Sequence, residues 1–280
     1  MEYSVNGKRM TTGEYTLTLA LMSQKGGVMK TTLTLLTGQK LASLGFRVLM
    51  VDTDAQRNLT LFTGVAERAD NIFTVLAGYT KDVRRAITSI SNNLDILIGT
   101  TEMKKWNSLS DTLKAGEIRL EKALKSVKND YDFILIDTPP ALDNSTINAM
   151  VAADGIIIPT EAKKASILGI LDLKDDFEEV KDLYDKSNLR IVGIVATRVE
   201  KGGFGSAKKI VAREHIRELK DIADEFGTVP FKKFISDNSE YEEVGEFSLD
   251  YFNENKKNVV TTEISNFVNN ILELERIEVL

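Results

Sequence analysis

A chain of 280 residues, 42% of them apolar, can bury one large α/β core or two small ones. Its net charge of −6 argues against coating nucleic acid with the whole surface, while leaving room for a local basic face. Without cysteine there is no disulfide, no thiolate catalysis and no cysteine-held iron–sulfur cluster.

The opening stretch, MEYSVNGKRMTTGEYT, has no apolar signal core, and residues 1–14 read as an N-terminal tail. No later apolar stretch nears the ~20 residues that span a bilayer, so a cytoplasmic protein with no membrane partner is expected. Residues 15–23 (YTLTLALMS) read as a buried strand. A helix is predicted over 31–44, stopped by Gly45. Strands follow at 47–52 (RVLMVD) and 94–98 (LDILI). A helix near 116–128 leads into a strand at 131–137 (YDFILID). Two more strands, 154–160 (DGIIIPT) and 189–197 (LRIVGIVAT), alternate with helices near 144–153, 167–185 and 206–226. Continuous Ile/Val/Leu runs suit strands covered on both faces. The alternation predicts an α/β fold, a mainly parallel sheet with helices on both faces. Residues 15–280 are read as one domain, with a small lobe after about Gly227 as the alternative.

The loop after the first predicted strand is SQKGGVMKTT, residues 23–32. A strand–loop–helix junction of this kind points backbone N–H groups and a helix N-terminus at an anion. Gly26 and Gly27 allow tight turning, Lys30 reaches toward phosphates, and the Thr31 hydroxyl is placed for Mg²⁺. Asp52, Asp54 and Asp137 end two other strands. Ligands of open α/β sheets bind beyond the carboxyl ends of strands, so these acids fall at the loop's edge. A carboxylate near Mg²⁺ and another able to orient water suit phosphoanhydride hydrolysis.

These stretches resemble the ParA/Soj-type partition ATPases, within the MinD/ParA group of deviant P-loop ATPases. KGGVMKTT is similar to that family's KGGVGKTT, and VLMVDTDAQRNLT to its VLLIDLDPQGNAT. Residues 131–160, YDFILIDTPPALDNSTINAMVAADGIIIPT, resemble a third family segment. The likeness runs from about Thr16 to Leu274. It implies a P-loop NTPase-like fold with ATP and Mg²⁺ as cofactors, Lys25, Gly26, Gly27, Val28, Met29, Lys30, Thr31 and Thr32 forming the nucleotide loop. Lys25 would reach across a homodimer interface to the partner's nucleotide. Lys30 would be the ordinary P-loop lysine. Thr31 would ligate Mg²⁺, Thr32 would touch the α-phosphate, Asp54 would position or activate the attacking water and belong to the metal site, and Asp137 would lie behind Mg²⁺. The adenine would sit near Thr197, Arg198 and the Pro230–Phe231 turn. The resemblance further implies an ATP-bound dimer on nonspecific, nucleoid DNA, stimulated by a ParB-type centromere-binding partner. Basic residues of the C-terminal part, Lys208, Lys209, Arg213, Arg217, Lys220, Lys232 and Lys233, are the candidate DNA surface.

Three residues depart from the pattern. Met29 stands where the family has glycine. A positive φ there costs about 1–2 kcal/mol, whereas a right-handed backbone costs little. Ala55 and Arg57 replace a proline and a glycine, and Arg57 is expected to face solvent. A disabled site would leave a nucleotide-binding regulatory module with little turnover, the alternative to a partition ATPase. A metabolic, amidotransferase-linked synthetase is a third reading. Operator-specific autoregulation is not expected, because residues 1–14 are too few for a helix-turn-helix domain. His215 is expected to be solvated, Trp106 to pack, and the glycine-rich stretch 200–206 to be a surface loop. The last twenty residues form an acidic helix without the Lys/Arg flank of a membrane-targeting one.

Overall fold

The computed structural model describes residues 1–200, 207–246, 251, 252, 254 and 257–280. The side chains of residues 164, 165, 167, 168, 207–213 and 246 lie outside the described set. The glycine-rich residues 201–206 lie outside it altogether.

In chain order the elements begin with β1 (Glu2–Val5), β2 (Lys8–Thr11), β3 (Leu17–Leu21) and α1 (Lys30–Ser43). Next come β4 (Val48–Asp52), α2 (Asn58–Phe62), α3 (Ile72–Leu76), β5 (Ile87–Ser91), β6 (Leu94–Leu97), α4 (Trp106–Ser110) and α5 (Arg119–Lys125). The second half holds β7 (Phe133–Asp137), α6 (Asn144–Ala152), β8 (Gly155–Glu161), α7 (Lys164–Leu183), β9 (Arg190–Thr197), α8 (Ala207–Glu225), α9 (Val259–Leu274) and β10 (Ile277–Val279). Seven strands form one sheet in the order β5-β6-β4-β7-β3-β8-β9, parallel except for β5. Strands β3, β4 and β7 are buried at every residue, as continuous apolar runs require when helices cover both faces. Apolar side chains separate into two clusters, one on each face. Trp106, Ile136, Met150 and Leu173 belong to one; Leu35, Phe133, Leu135 and Phe267 belong to the other.

The predicted tail is corrected. Residues 2–11 form a β-hairpin, and β1 also pairs with β10, closing a three-stranded sheet from the two ends of the chain. Tyr3 is the reason it docks. Its ring lies edge-on to Phe46, and its hydroxyl donates to Asp132 Oδ1 at 2.9 Å. The Asp132 carboxylate also accepts from the backbone N–H groups of Gly13 and Arg47, so one buried acid ties hairpin to sheet.

Helix α9 lays Val260, Ile264, Phe267, Val268 and Ile271 into the second cluster, the same core that holds α1. Its apolar face is therefore spent inside the protein. Among the described residues no helix is long and apolar enough to cross a membrane.

Candidate functional site

Three strands end in register. Leu21 of β3 pairs with Asp137 of β7, which pairs on its other side with Asp52 of β4. The loop leaving β3 and the two acids thus share the carboxyl edge of the sheet. The loop then returns into α1, whose first residue is Lys30. Gly27 adopts φ +78°, a left-handed conformation that glycine holds without strain, at a crest with open space around it.

A cleft of about 290 Å³ opens over this loop. Gly26, Gly27, Met29, Lys30, Thr31 and Thr32 form one wall, and Asp54, Gln56, Thr138 and Pro140 are among the residues opposite. Val28 is buried and contributes its backbone, whose carbonyl accepts from the Thr197 hydroxyl at 3.3 Å. Lys30 is only 7% exposed, and its ammonium donates to the carbonyls of Ser23 (3.2 Å) and Lys25 (3.3 Å). Burial pulls its pKa down, opposed by Asp137 and Asp54.

Thr31 Oγ1 donates to Asp137 Oδ2 at 2.7 Å. Asp137 is fully buried, and its other oxygen, Oδ1, has no hydrogen-bond partner among the described residues. Burial and neighbouring Asp52 hold its carboxyl well above the usual carboxylate range. A buried carboxylate with an orphaned oxygen beside a threonine hydroxyl suits a hard cation with oxygen ligands. Asp54 lies at the cleft with its Oδ1 accepting from the Gln56 N–H at 2.8 Å.

Asp52 does a different job from its neighbours. It is fully buried and accepts from Thr60 Oγ1 (2.7 Å), Thr60 N (2.9 Å) and Asp54 N (3.2 Å). A Cβ at Gly99 would fall 2.6 Å from its carboxyl, so glycine is required by that close approach. Asp52 positions the Asp54 turn and α2 rather than facing the cleft.

Lys25 is half exposed and held within its own chain. Its ammonium contacts Glu161 Oε2 at 2.7 Å and Ser166 Oγ at 2.8 Å. Burial raises the Glu161 carboxyl, but its bonds to Lys25 and Lys163 outweigh that and leave it below the usual range. Neither Glu161 nor Ser166 stands out in the sequence, because their meeting with Lys25 spans more than a hundred residues of chain. Phe62 and Asn58 of the cleft escape sequence reading for another reason: α2, at five residues, is too short to show a period.

The residues expected near the adenine fall in different surroundings. Thr197 is completely buried, with its hydroxyl directed to the Val28 and Thr160 carbonyls. Phe231 stacks on Phe267 inside the core, their centroids 4.9 Å apart. Thr197 braces the loop from behind, and Phe231 fills the core beside Gly193. Pro230 bridges to Ile194 at the end of this brace. Arg198 does reach the cleft, donating from Nε to the Gly27 carbonyl at 2.8 Å.

Met29 has φ 67° and ψ 21°, so the residue in the family's glycine position takes the left-handed conformation. Its side chain is 8% exposed and joins the second apolar cluster, which compensates for the backbone strain. Arg57 repeats the pattern at φ 51°, at the start of α2. It does not simply face solvent: its guanidinium is half-buried and pairs with Glu67 at 2.6 Å. Ala55 packs against the first cluster.

The basic candidates divide. Arg217 and Lys220 are exposed on α8, and Lys233 is exposed beyond it. Lys208, Lys209 and Arg213 lie on the first turns of α8, where side chains are outside the described set. Lys232 is ion-paired with Glu273. His215 is half-buried rather than solvated, its Nδ1 2.8 Å from the Ala162 carbonyl, which pins α8 to the start of α7. Trp106 is fully buried packing.

The family described as an AAA domain matches residues 16–191. The sporulation initiation inhibitor protein Soj of Bacillus subtilis is 33% identical over 185 residues, covering 65% of this chain and 72% of Soj. The chromosome partitioning protein ParA of Caulobacter vibrioides is 30% identical over 233 residues, covering 82% of this chain and 84% of ParA. Among solved structures, an ATP complex of Cyanothece McdA superimposes with a TM-score of 0.80 at 22% identity, over 93% of this chain and 96% of that one. Cobyrinic acid a,c-diamide synthase from Mycobacterium smegmatis, with bound ADP and magnesium, gives 0.77 at 23% identity over 92% and 94%. At such identities the last two show a shared fold alone. The family match spans the P-loop and both Asp-ended strands, and the matches to Soj and ParA cover most of the chain, which is a member of the ParA/Soj family of P-loop partition ATPases.

Proposed function

We propose that the chain hydrolyses ATP with Mg²⁺ as a partition or positioning switch, acting as an ATP-bound homodimer on nonspecific DNA under stimulation by a ParB-type partner. The observation that carries this reading is the convergence of Lys30, Thr31, Asp54 and Asp137 at one cleft, with a buried Asp137 oxygen left without a partner. Lys30 binds the β- and γ-phosphates, exchanging two backbone carbonyls for stronger charged acceptors. The loop N–H groups and the α1 N-terminus add partial positive charge, and Thr32 meets the α-phosphate. Thr31 and Asp137 hold Mg²⁺, which supplies charge neutralisation on the phosphates. Asp54 orients the attacking water. Arg198 and Pro230 border the base.

Lys25 acts in trans on the partner's phosphates. It must first leave Glu161 and Ser166, so dimerisation trades one partly exposed ion pair for a more buried, charge-assisted contact. Hydrolysis removes the γ-phosphate and with it the reason for Lys25 to stay across the interface. DNA contact through the exposed cations of α8 and Lys233 then depends on ATP, because the dimer doubles a weak surface.

Calorimetry with Lys30→Ala tests the site: ATP binding should be lost, and unchanged affinity would remove the P-loop assignment. Turnover measured with and without duplex DNA and the protein encoded next door tests the switch. Turnover indifferent to both would favour a nucleotide-binding module with little hydrolysis. The left-handed backbone at Met29 speaks against that module, since the loop keeps the shape that a glycine would give it.

A further inference from the structure

The geometry points to a second anion site, separate from the P-loop cleft, shaped for a small ligand carrying two or more closely spaced phosphate groups. A cleft of about 370 Å³ lies between α5 and the segment joining α3 to β5. Lys81, Lys114, Arg119 and Lys122 line it, and no carboxylate does. This is an unusual concentration of charge in a chain whose net charge is −6.

The cations come from three separate stretches, so helical periodicity does not account for their meeting. None of the four has an ion-pair partner among the described residues. Several neighbouring carboxylates pair elsewhere: Asp70 with Arg85, Asp82 and Asp130 with Arg84, and Glu121 with Lys186. The neutral polar groups in the wall are also committed. Thr80 donates to Asp70 at 2.6 Å, and the Ser126 hydroxyl to the Ala123 carbonyl at 2.8 Å. Arg119 is fixed by a 3.0 Å bond from Nη1 to the Leu76 carbonyl, while its Nε is buried with no acceptor.

Four like charges around one concavity repel each other unless an anion is shared between them. A single phosphate would leave about half of that charge unmatched, whereas a pyrophosphate-type group satisfies it. A guanidinium held by the Leu76 carbonyl and three exposed ammonium groups combine planar recognition with adaptable charge. The cleft shares no lining residue with the P-loop cleft, so the two sites can be emptied separately.

The test uses inorganic tripolyphosphate as the probe, titrated calorimetrically into the full chain carrying Lys30→Ala, without Mg²⁺. Saturable binding at one equivalent is expected, weakening as salt rises. Lys114→Glu with Lys122→Glu in the same background should weaken it by about tenfold or more. Both lysines are exposed, and thermal unfolding of that variant should match its parent. Absence of saturable binding up to about 1 mM overturns the proposal, as does equal binding by the charge-reversed variant. A duplex oligonucleotide that binds with this lysine dependence while tripolyphosphate does not would also overturn it, assigning the cleft to nucleic acid.

Discussion

Replacing Met29 by glycine sets two effects against each other. The left-handed backbone at φ 67° costs a non-glycine residue about 1–2 kcal/mol, which glycine releases. Glycine gives back about 0.5–1 kcal/mol through the freedom it gains on unfolding. The methionine side chain is 8% exposed, and exposing its volume to water loses about 1.5–3 kcal/mol of burial. The balance is a net loss of about 1.5 kcal/mol, within a range of about 0 to 3. For a chain of this size that lowers Tm by about 2–4 °C per kcal/mol. Met29→Ala is the sharper comparison. It loses similar burial but keeps the strained backbone, so Met29→Gly should be the more stable of the two by about 1 kcal/mol. That reverses the usual order of alanine above glycine in and around helices. Denaturant unfolding of both variants without nucleotide measures it. If the alanine variant equals or exceeds the glycine variant, position 29 is not left-handed, and the account of how this loop tolerates methionine is wrong. ATP affinity of Met29→Gly should stay within about tenfold, or ~1.4 kcal/mol, of the parent, because the loop keeps its shape. A rescue of binding by several orders of magnitude would instead mean that methionine disables the site.

Burial pushes the Asp52 carboxyl up to about 6, so the folded protein keeps this proton after the unfolded chain has lost it, and stability falls as pH rises from about 4 to 6. Asp52→Asn retains an acceptor for Thr60 and removes that fall, so its stability relative to the parent should grow by about 3 kcal/mol between pH 4 and 7; parallel pH profiles would contradict this. Glu161→Gln releases Lys25 from its ion pair, and light scattering should then show the ATP-bound dimer at lower protein concentration than for the parent; an unchanged or weaker dimer would mean that the Glu161 contact does not compete with the trans role of Lys25. Tyr3→Phe removes one donor from buried Asp132 and should cost about 1–3 kcal/mol in unfolding experiments, with amide exchange rising first in the 2–11 hairpin; uniform exchange across the chain would show that the hairpin is not held by this bond. Glu substitutions at Lys208, Lys209 and Arg213 should abolish ATP-dependent DNA retention with ATP affinity unchanged; normal retention would place the DNA surface elsewhere.

The parallel sheet and its loaded edge are properties of local pattern. Continuous runs such as FILID and VLMVD can only be strands covered on both sides, and an acid ending each must emerge at the carboxyl edge where the loop also lies. Two glycines followed by Lys-Thr-Thr after such a strand announce the cradle before any coordinate is known. Tertiary structure decided what depends on chain segments far apart. The hairpin was invisible because its four-residue strands carry little periodicity, and what docks them is Tyr3 meeting Asp132 across 129 residues of sequence. The family resemblance puts Thr197 and Phe231 near the base, whereas the structure buries both, Thr197 bracing the loop and Phe231 stacking in the core. The same holds for Lys25 against Glu161, and for four cations gathered from three stretches. At Met29 and Arg57 residue type argued against a left-handed backbone, and the return of a loop into a helix imposed it. A dihedral at such a corner answers to where both ends of the loop are fixed, and a buried side chain or an ion pair then supplies the free energy that the residue's own preference withholds.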